Sequence, residues 1–271
     1  MDDFKDKIAV VTGGGSGIGG GIALELARQG AHVAVADIDA DRAGKVSEAL
    51  RGLGARSIAV ETDVRKQDSV NALARSALEE FGGIDLVFNN AGVYLGGEMK
   101  DATWDDWRFV LDVNVDGAFR VGQKFAGILR DQASGEDRCG HIVNTASVGG
   151  FMAMPEGVAY CVSKFSMVAY SEAMRIDLEP LGIGVSTLCP GPIHTKLTGS
   201  DRLRAPSEKR SGTSEALTPF IEGGMNPEDV GPIVLSGVRR NLPYIFTHDD
   251  FRDFFKTRFD LVMKGFDEID R

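Results

Sequence analysis

The chain has 271 residues and a formal net charge of −10, with 43% hydrophobic and 26% charged residues. That balance fits a globular enzyme with a sizeable core, and the negative charge argues against nucleic acid and anionic membrane surfaces as partners. No apolar run approaches the ~18 residues of a membrane span, and the acidic start, Met1-Asp2-Asp3-Phe4-Lys5-Asp6-Lys7, lacks the apolar core of a signal peptide.

Short β-rich runs then alternate with longer helical patterns. Ile8 to Thr12 reads as the first strand, and Thr12-Gly13-Gly14-Gly15-Ser16-Gly17-Ile18-Gly19 follows it and opens a helix over Ile18 to Gln29. In that setting Gly13 suits a tight turn, Gly17 lets the backbone approach a pyrophosphate, and Gly19 lets helix and strand pack closely. The helix N-terminus offers unpaired N–H groups to the same anion. A second strand, His32 to Asp37, ends on an acidic side chain about 20 residues beyond the loop, where it would accept hydrogen bonds from ribose hydroxyls and repel a 2′-phosphate. Ser16 and Ile38 stand where a basic residue would hold that phosphate, and Arg42 reads as a solvated helix residue, so NAD is preferred to NADP. A turn or N-cap role for Asp37 stays open beside this one.

Further strands are expected at Ser57 to Val60, Leu86 to Asn89, His141 to Ala146, Val185 to Leu188 and Tyr244 to Thr247, with a helix over Ser69 to Phe81. The apolar runs are near-continuous, as in parallel strands buried on both faces, and no linker or repeat interrupts them. The expected fold is α/β: a single-domain Rossmann doubly wound parallel sheet of about seven strands, helices on both faces, over residues 1–248.

Tyr160-Cys161-Val162-Ser163-Lys164 puts a phenol and an ammonium at i and i+4, on one helix face. A neighbouring ammonium favours the phenolate and lowers a pKa that starts near ~10, giving a general acid–base. Cys161 lies about 100° around the helix and faces elsewhere. The odd, scattered set Cys139, Cys161 and Cys189 suggests free thiols in a reducing cytoplasm, and His32, His141, His194 and His248 form no metal-ligand pattern.

Two segments leave the rhythm. Residues 196–225 are polar and punctuated by Gly199, Pro206, Gly212, Pro219, Gly223 and Gly224, the composition of a long loop that is either a functional lid or disordered. In the tail, residues 249–271, Phe251, Phe255, Phe259, Val262, Phe266 and Ile269 form a helical apolar stripe. It docks on its own core, meets another subunit or covers the active site.

These marks together resemble the short-chain dehydrogenase/reductase family: Thr12-Gly13-x-x-x-Gly17-x-Gly19, Asn89-Asn90-Ala91-Gly92, Asn114, Ser147, Tyr160-x-x-x-Lys164 and Pro190-Gly191-Pro192-Ile193-His194-Thr195, in order over residues 5–248. The resemblance implies Tyr160 as the acid–base, Lys164 as its modulator and ribose ligand, Ser147 as a hydrogen-bond donor to the substrate oxygen, and Asn114 as the holder of a water on a proton path. It also implies that Asp63 and Val64 flank the adenine, Asn90 lies along the adenosine, and Ile193 and Thr195 hold the carboxamide. Asn89 reads as a pin between strands. Ser147 ending a strand and Asn114 kinking a helix remain alternatives. Family members form homodimers or homotetramers through the long helices, here about 104–130 and 157–181.

Where many members stop near a Val-Asp-Gly-Gly-like segment, Tyr244-Ile245-Phe246-Thr247-His248 runs on into the Phe-rich tail. With Asn144-Thr145-Ala146-Ser147 and the long loop, this resembles the branch of bacterial lignin-type Cα-dehydrogenases, which oxidise benzylic secondary alcohols with NAD. Val93, Tyr94, Leu95, Phe151, Met152, Met154, Leu197, Leu203, Leu217 and Phe220 line a hydrophobic substrate pocket or belong to the core. Arg202, Arg204, Lys209 and Arg210 meet an acidic substrate tail or, more in keeping with their setting, form a solvated lid face. The alternatives to an NAD-dependent alcohol dehydrogenase are an NAD(P)H-dependent reductase of oxoacyl or steroid ketones and a non-catalytic dinucleotide sensor.

Overall fold

The computed structural model describes residues 3–136, 140–204 and 217–269. Cys139, Pro206, Lys209, Arg210 and Gly212 lie outside them. Seven parallel strands form one sheet: β1 (Ile8–Thr12), β2 (His32–Asp37), β3 (Ser57–Glu61), β4 (Leu86–Asn89), β5 (His141–Thr145), β6 (Gly184–Cys189) and β7 (Tyr244–Phe246), in the order β3-β2-β1-β4-β5-β6-β7. The predicted bounds differ from these by about one residue. Every residue of β1, β4 and β5 is buried, as their unbroken runs require, whereas the edge strand β3 alternates between buried and more accessible positions.

Helices cover both faces. On one, α1 (Gly17–Arg28), α2 (Ala40–Gly52) and α8 (Pro227–Arg239) bury Ile22, Leu26, Leu50, Val230 and Val234 against the sheet. On the other, α3 (Gln67–Phe81), α5 (Ala118–Glu136) and α6 (Val158–Leu178) bury Leu73, Phe125 and Met174. Each such side chain contributes about 1.5–3 kcal/mol. Because β1 pairs with both β2 and β4, the chain winds outward from it in two directions, and a crevice opens at the strands' carboxyl ends.

The helix expected near 104–130 is present, with a change of winding inside it. α4 (Trp104–Leu111) passes through a π-helical turn, Asp112–Gly117, before α5 begins. Phe119 on α5 and Ile176 on α6, helices through which the resemblance expects subunits to pair, remain exposed. The long loop contains a 3-10 helix, Leu197–Leu203, and α7 (Thr218–Glu222). The tail is helical over α9 (Arg252–Asp267), but its stripe divides: Phe255 packs on Phe151 and Phe246, while Phe259, Val262, Phe266 and Ile269 stay exposed. Among the described residues, no helix is long and apolar enough to cross a membrane.

Candidate active site

A cavity of about 710 Å³ runs along the carboxyl ends of the central strands, a volume usual for small-molecule sites. One wall comes from the turn after β1. Gly17 holds φ +54°, and a Cβ there would sit 3.1 Å from Thr195 Cγ2. A Cβ on Gly19 would lie 2.3 Å from the Gly13 carbonyl oxygen. A side chain at Gly17 would fill the cradle and one at Gly19 would break the packing behind it, so the bare backbone fits a pyrophosphate over the start of α1. Gly13, Ser16, Gly17 and Ile18 line the cavity, while Gly19 serves the packing behind it.

Asp37 combines both roles weighed for it. Its carboxylate accepts from Gly15 N (2.9 Å) and Asp39 N (3.0 Å), pinning the glycine turn, and it lines the cavity. Asp63, Val64, Ile193 and Thr195 also line it. Burial opposes charge on Asp63, but hydrogen bonds from Arg65 outweigh it and hold the carboxyl below its ordinary range. Asn90 forms part of the wall with its amide engaged elsewhere. Nδ2 donates to the carbonyls of Thr12 (3.1 Å) and Gly13 (3.4 Å), and Oδ1 accepts from Thr145 Oγ1 (3.2 Å). Asn89 is a pin between strands, donating to Asn144 Oδ1 (3.0 Å) and the Ala118 carbonyl (2.8 Å).

Ser147, Tyr160 and Lys164 converge on the cavity from the end of β5 and the first turns of α6. Ser147 ends the strand and caps the short turn after it, accepting from Gly149 N (3.0 Å). Lys164 Nζ donates to the Thr145 carbonyl (2.9 Å) and lies 5.6 Å from the Tyr160 ring centroid. Burial decides the protonation of this pair. It pushes the Tyr160 phenol up to about 12 against the downward pull of the Ser147 hydroxyl, and it brings the Lys164 ammonium down to about 8. The expected lowering of the phenol by a neighbouring lysine is therefore corrected: desolvation dominates.

Asn114 sits in the π turn. Its Oδ1 accepts from Val93 N (2.8 Å), and its Nδ2 donates to the Val93 carbonyl (2.9 Å) and Ser163 Oγ (3.0 Å). It thus ties the segment after β4 to the Tyr160 helix from within the π turn.

On the substrate side Val93, Tyr94, Met152, Met154, Leu197, Leu203, Leu217 and Phe220 line the cavity. The Tyr94 ring meets that of Tyr160 edge-on at 5.1 Å, and its hydroxyl donates to the Glu156 carbonyl (3.3 Å). Phe151 and Leu95 do not line it: Phe151 packs on Tyr244, Phe246 and Phe255, and Leu95 joins the core beneath α3 and α5. Missed from the sequence are Phe109, Asp250 and Phe254, while Phe251, from the tail stripe, reaches the cavity as the covering alternative expects. Arg204 is neither solvated nor directed at substrate. Its buried guanidinium pairs with Asp106 at 2.9 Å and stacks over Phe109. Arg202, by contrast, lines the cavity.

The family model for short chain dehydrogenases matches residues 7–205. The C alpha-dehydrogenase of Sphingobium sp. (strain NBRC 103272 / SYK-6) is 32% identical over 270 residues, 97% of this chain and 87% of the relative. A short chain dehydrogenase/reductase from Burkholderia phymatum, crystallised in complex with NAD, superposes with a TM-score of 0.92 at 33% identity, covering 98% of this chain and 97% of the other. The apo form of LigD from Sphingobium sp. strain SYK-6 superposes at 0.82 with 27% identity, over 99% and 100% of the two chains. With the glycine turn, the Ser147, Tyr160 and Lys164 cluster and the seven-stranded sheet, these similarities make the chain an oxidoreductase of the short-chain dehydrogenase family.

Proposed function

We propose that the protein interconverts a bulky hydrophobic secondary alcohol, of benzylic or aryl type, and its ketone, with NAD as cofactor and Tyr160 as acid–base. The observation that carries this reading is the convergence of Ser147, Tyr160 and Lys164 on a cavity bounded by the glycine turn and Asp37 on one side and by large apolar side chains on the other. Asp37 favours NAD, because its carboxylate suits ribose hydroxyls and opposes a 2′-phosphate. The similarity to a C alpha-dehydrogenase supports the aryl substrate class.

Bound NAD supplies the acceptor for the hydride that leaves the carbinol carbon. Ser147 holds the substrate oxygen by a hydrogen bond and stabilises the charge that develops on it. Tyr160 takes the hydroxyl proton in oxidation and returns it in reduction. Lys164 holds the Thr145 carbonyl and lies 5.6 Å from the Tyr160 ring, and below about pH 8 its charge works against the desolvation that disfavours the phenolate. Asn114 holds the Val93 backbone and Ser163, and so fixes the floor on which Tyr160 stands. The test is a panel of aryl, steroidal and acyl-type secondary alcohols with NAD at alkaline pH, followed by NADH absorbance. Aryl alcohols are expected to give the highest kcat/KM. A preference for acyl-type substrates would favour the reductase reading, and no turnover together with no NAD binding would defeat both.

A further inference from the structure

Among the charged residues that line the cavity are Asp37, Asp39, Arg42 and Arg202. The first three lie at the end of β2 and the start of α2. Arg202 arrives from the 3-10 helix Leu197–Leu203, far along the chain. Asp37 and Arg42 stand side by side, since a Cβ on Gly15 would lie 2.9 Å from both the Asp37 carboxylate and Arg42 Cβ. Arg42 is committed to Asp39, with Nε 3.0 Å from its carboxylate. Of the three arginines that line the cavity, Arg65 is likewise held by Asp63 (2.9 Å). Arg202 has no carboxylate partner among the described residues. Its Nη1 donates to the carbonyls of Lys196 (2.9 Å) and Gly199 (2.6 Å), which fixes the guanidinium to its own helix.

The charges of Asp37, Asp39 and Arg42 nevertheless act on it. Burial first, and then Arg42, hold Arg202 below its ordinary pKa, while the two aspartates work the other way. Arg202 and the two aspartates line the same cavity with no ion pair between them, which leaves the space they share to a ligand. A carboxylate floor that accepts from ribose hydroxyls and a cation above it suit a sugar phosphate, whose hydroxyls and anionic oxygens need those two partners.

We propose that Arg202 is a cofactor-binding residue that reaches from the 3-10 helix Leu197–Leu203 to the ribose and phosphate of the adenosine half of the dinucleotide, opposite Asp37. This rests on the NAD reading above. It couples this helix to cofactor binding, because the helix also carries Ser200, whose hydroxyl accepts from Tyr94 N (3.1 Å) beside Tyr160.

The test is equilibrium titration of the wild-type protein and of Arg202→Gln and Arg202→Lys with NAD, ADP-ribose and nicotinamide mononucleotide, at low and high salt. Gln keeps an amide donor for the Lys196 and Gly199 carbonyls but removes the charge. The expected result is that Arg202→Gln weakens NAD and ADP-ribose about tenfold, the order set by loss of one charge-assisted hydrogen bond. It should also flatten the salt dependence and leave nicotinamide mononucleotide unchanged, and Arg202→Lys should recover part of the loss. Wild-type-like binding of ADP-ribose by Arg202→Gln, or equal weakening of both fragments, would overturn the assignment. A wild-type protein that binds none of the three would instead sink the NAD reading itself.

Discussion

The two walls of the cavity are built by different means. The cofactor wall is backbone held by short polar contacts: Asp37 grips the glycine turn at Gly15, and Asn90 grips Thr12 and Gly13. The substrate wall is side chains, with Tyr94, Met154, Leu217 and Phe254 contributed by four separate segments. Backbone positions serve one ligand shape and tolerate little, since a single Cβ would collide with a carbonyl at Gly19. Apolar side chains exclude water without fixing a partner, so under the proposed function this wall would set which substrate enters.

Removing the Asp37 carboxylate breaks the first wall most severely. Asp37→Ala loses the ribose acceptor and releases the Gly15 and Asp39 amides, so NAD affinity should fall roughly 10- to 100-fold, while exclusion of NADP is relieved. Titration with both cofactors checks this, and unchanged affinities would remove Asp37 from the site. The second wall should respond more gently. Phe254 lines the cavity yet is 58% exposed, so Phe254→Ala should raise KM for an aryl alcohol only about fivefold, with kcat and NAD affinity nearly unchanged. A matching loss of NAD affinity would show that the tail supports the cofactor wall instead.

The cofactor wall was legible in the sequence for the same reason that it is intolerant. Its residues sit at strand ends, and buried parallel strands announce themselves as unbroken apolar runs, so Asp37 and the glycine turn could be placed by counting. The substrate wall could not. A helical stripe predicts that Phe251 and Phe255 share a face, but only the first turns of α9 meet the body, and there Phe254, off the stripe, reaches the cavity. Arg202 and Arg204 are two residues apart and of one type, yet one lines the cavity and the other is buried against Asp106. The π turn at Asn114 leaves no trace in a 3.6-residue period, and neither do that side chain's bonds to Val93, which join residues 21 apart. The Tyr160 and Lys164 spacing shows that they are neighbours, but it carries no information on burial, and burial is what shifts both groups.

The central claim is that Tyr160 handles the proton, and it is tested most directly by the pH profile of kcat for oxidation of a good alcohol in the wild-type and Tyr160→Phe proteins, with NAD binding measured in parallel. A phenol pushed up to about 12 is scarcely ionised at neutrality, so wild-type oxidation should quicken as pH rises. Tyr160→Phe should bind NAD normally, lose about 10²- to 10⁴-fold in kcat and lose the alkaline rise. Near-normal turnover of Tyr160→Phe with the same pH profile would contradict the account.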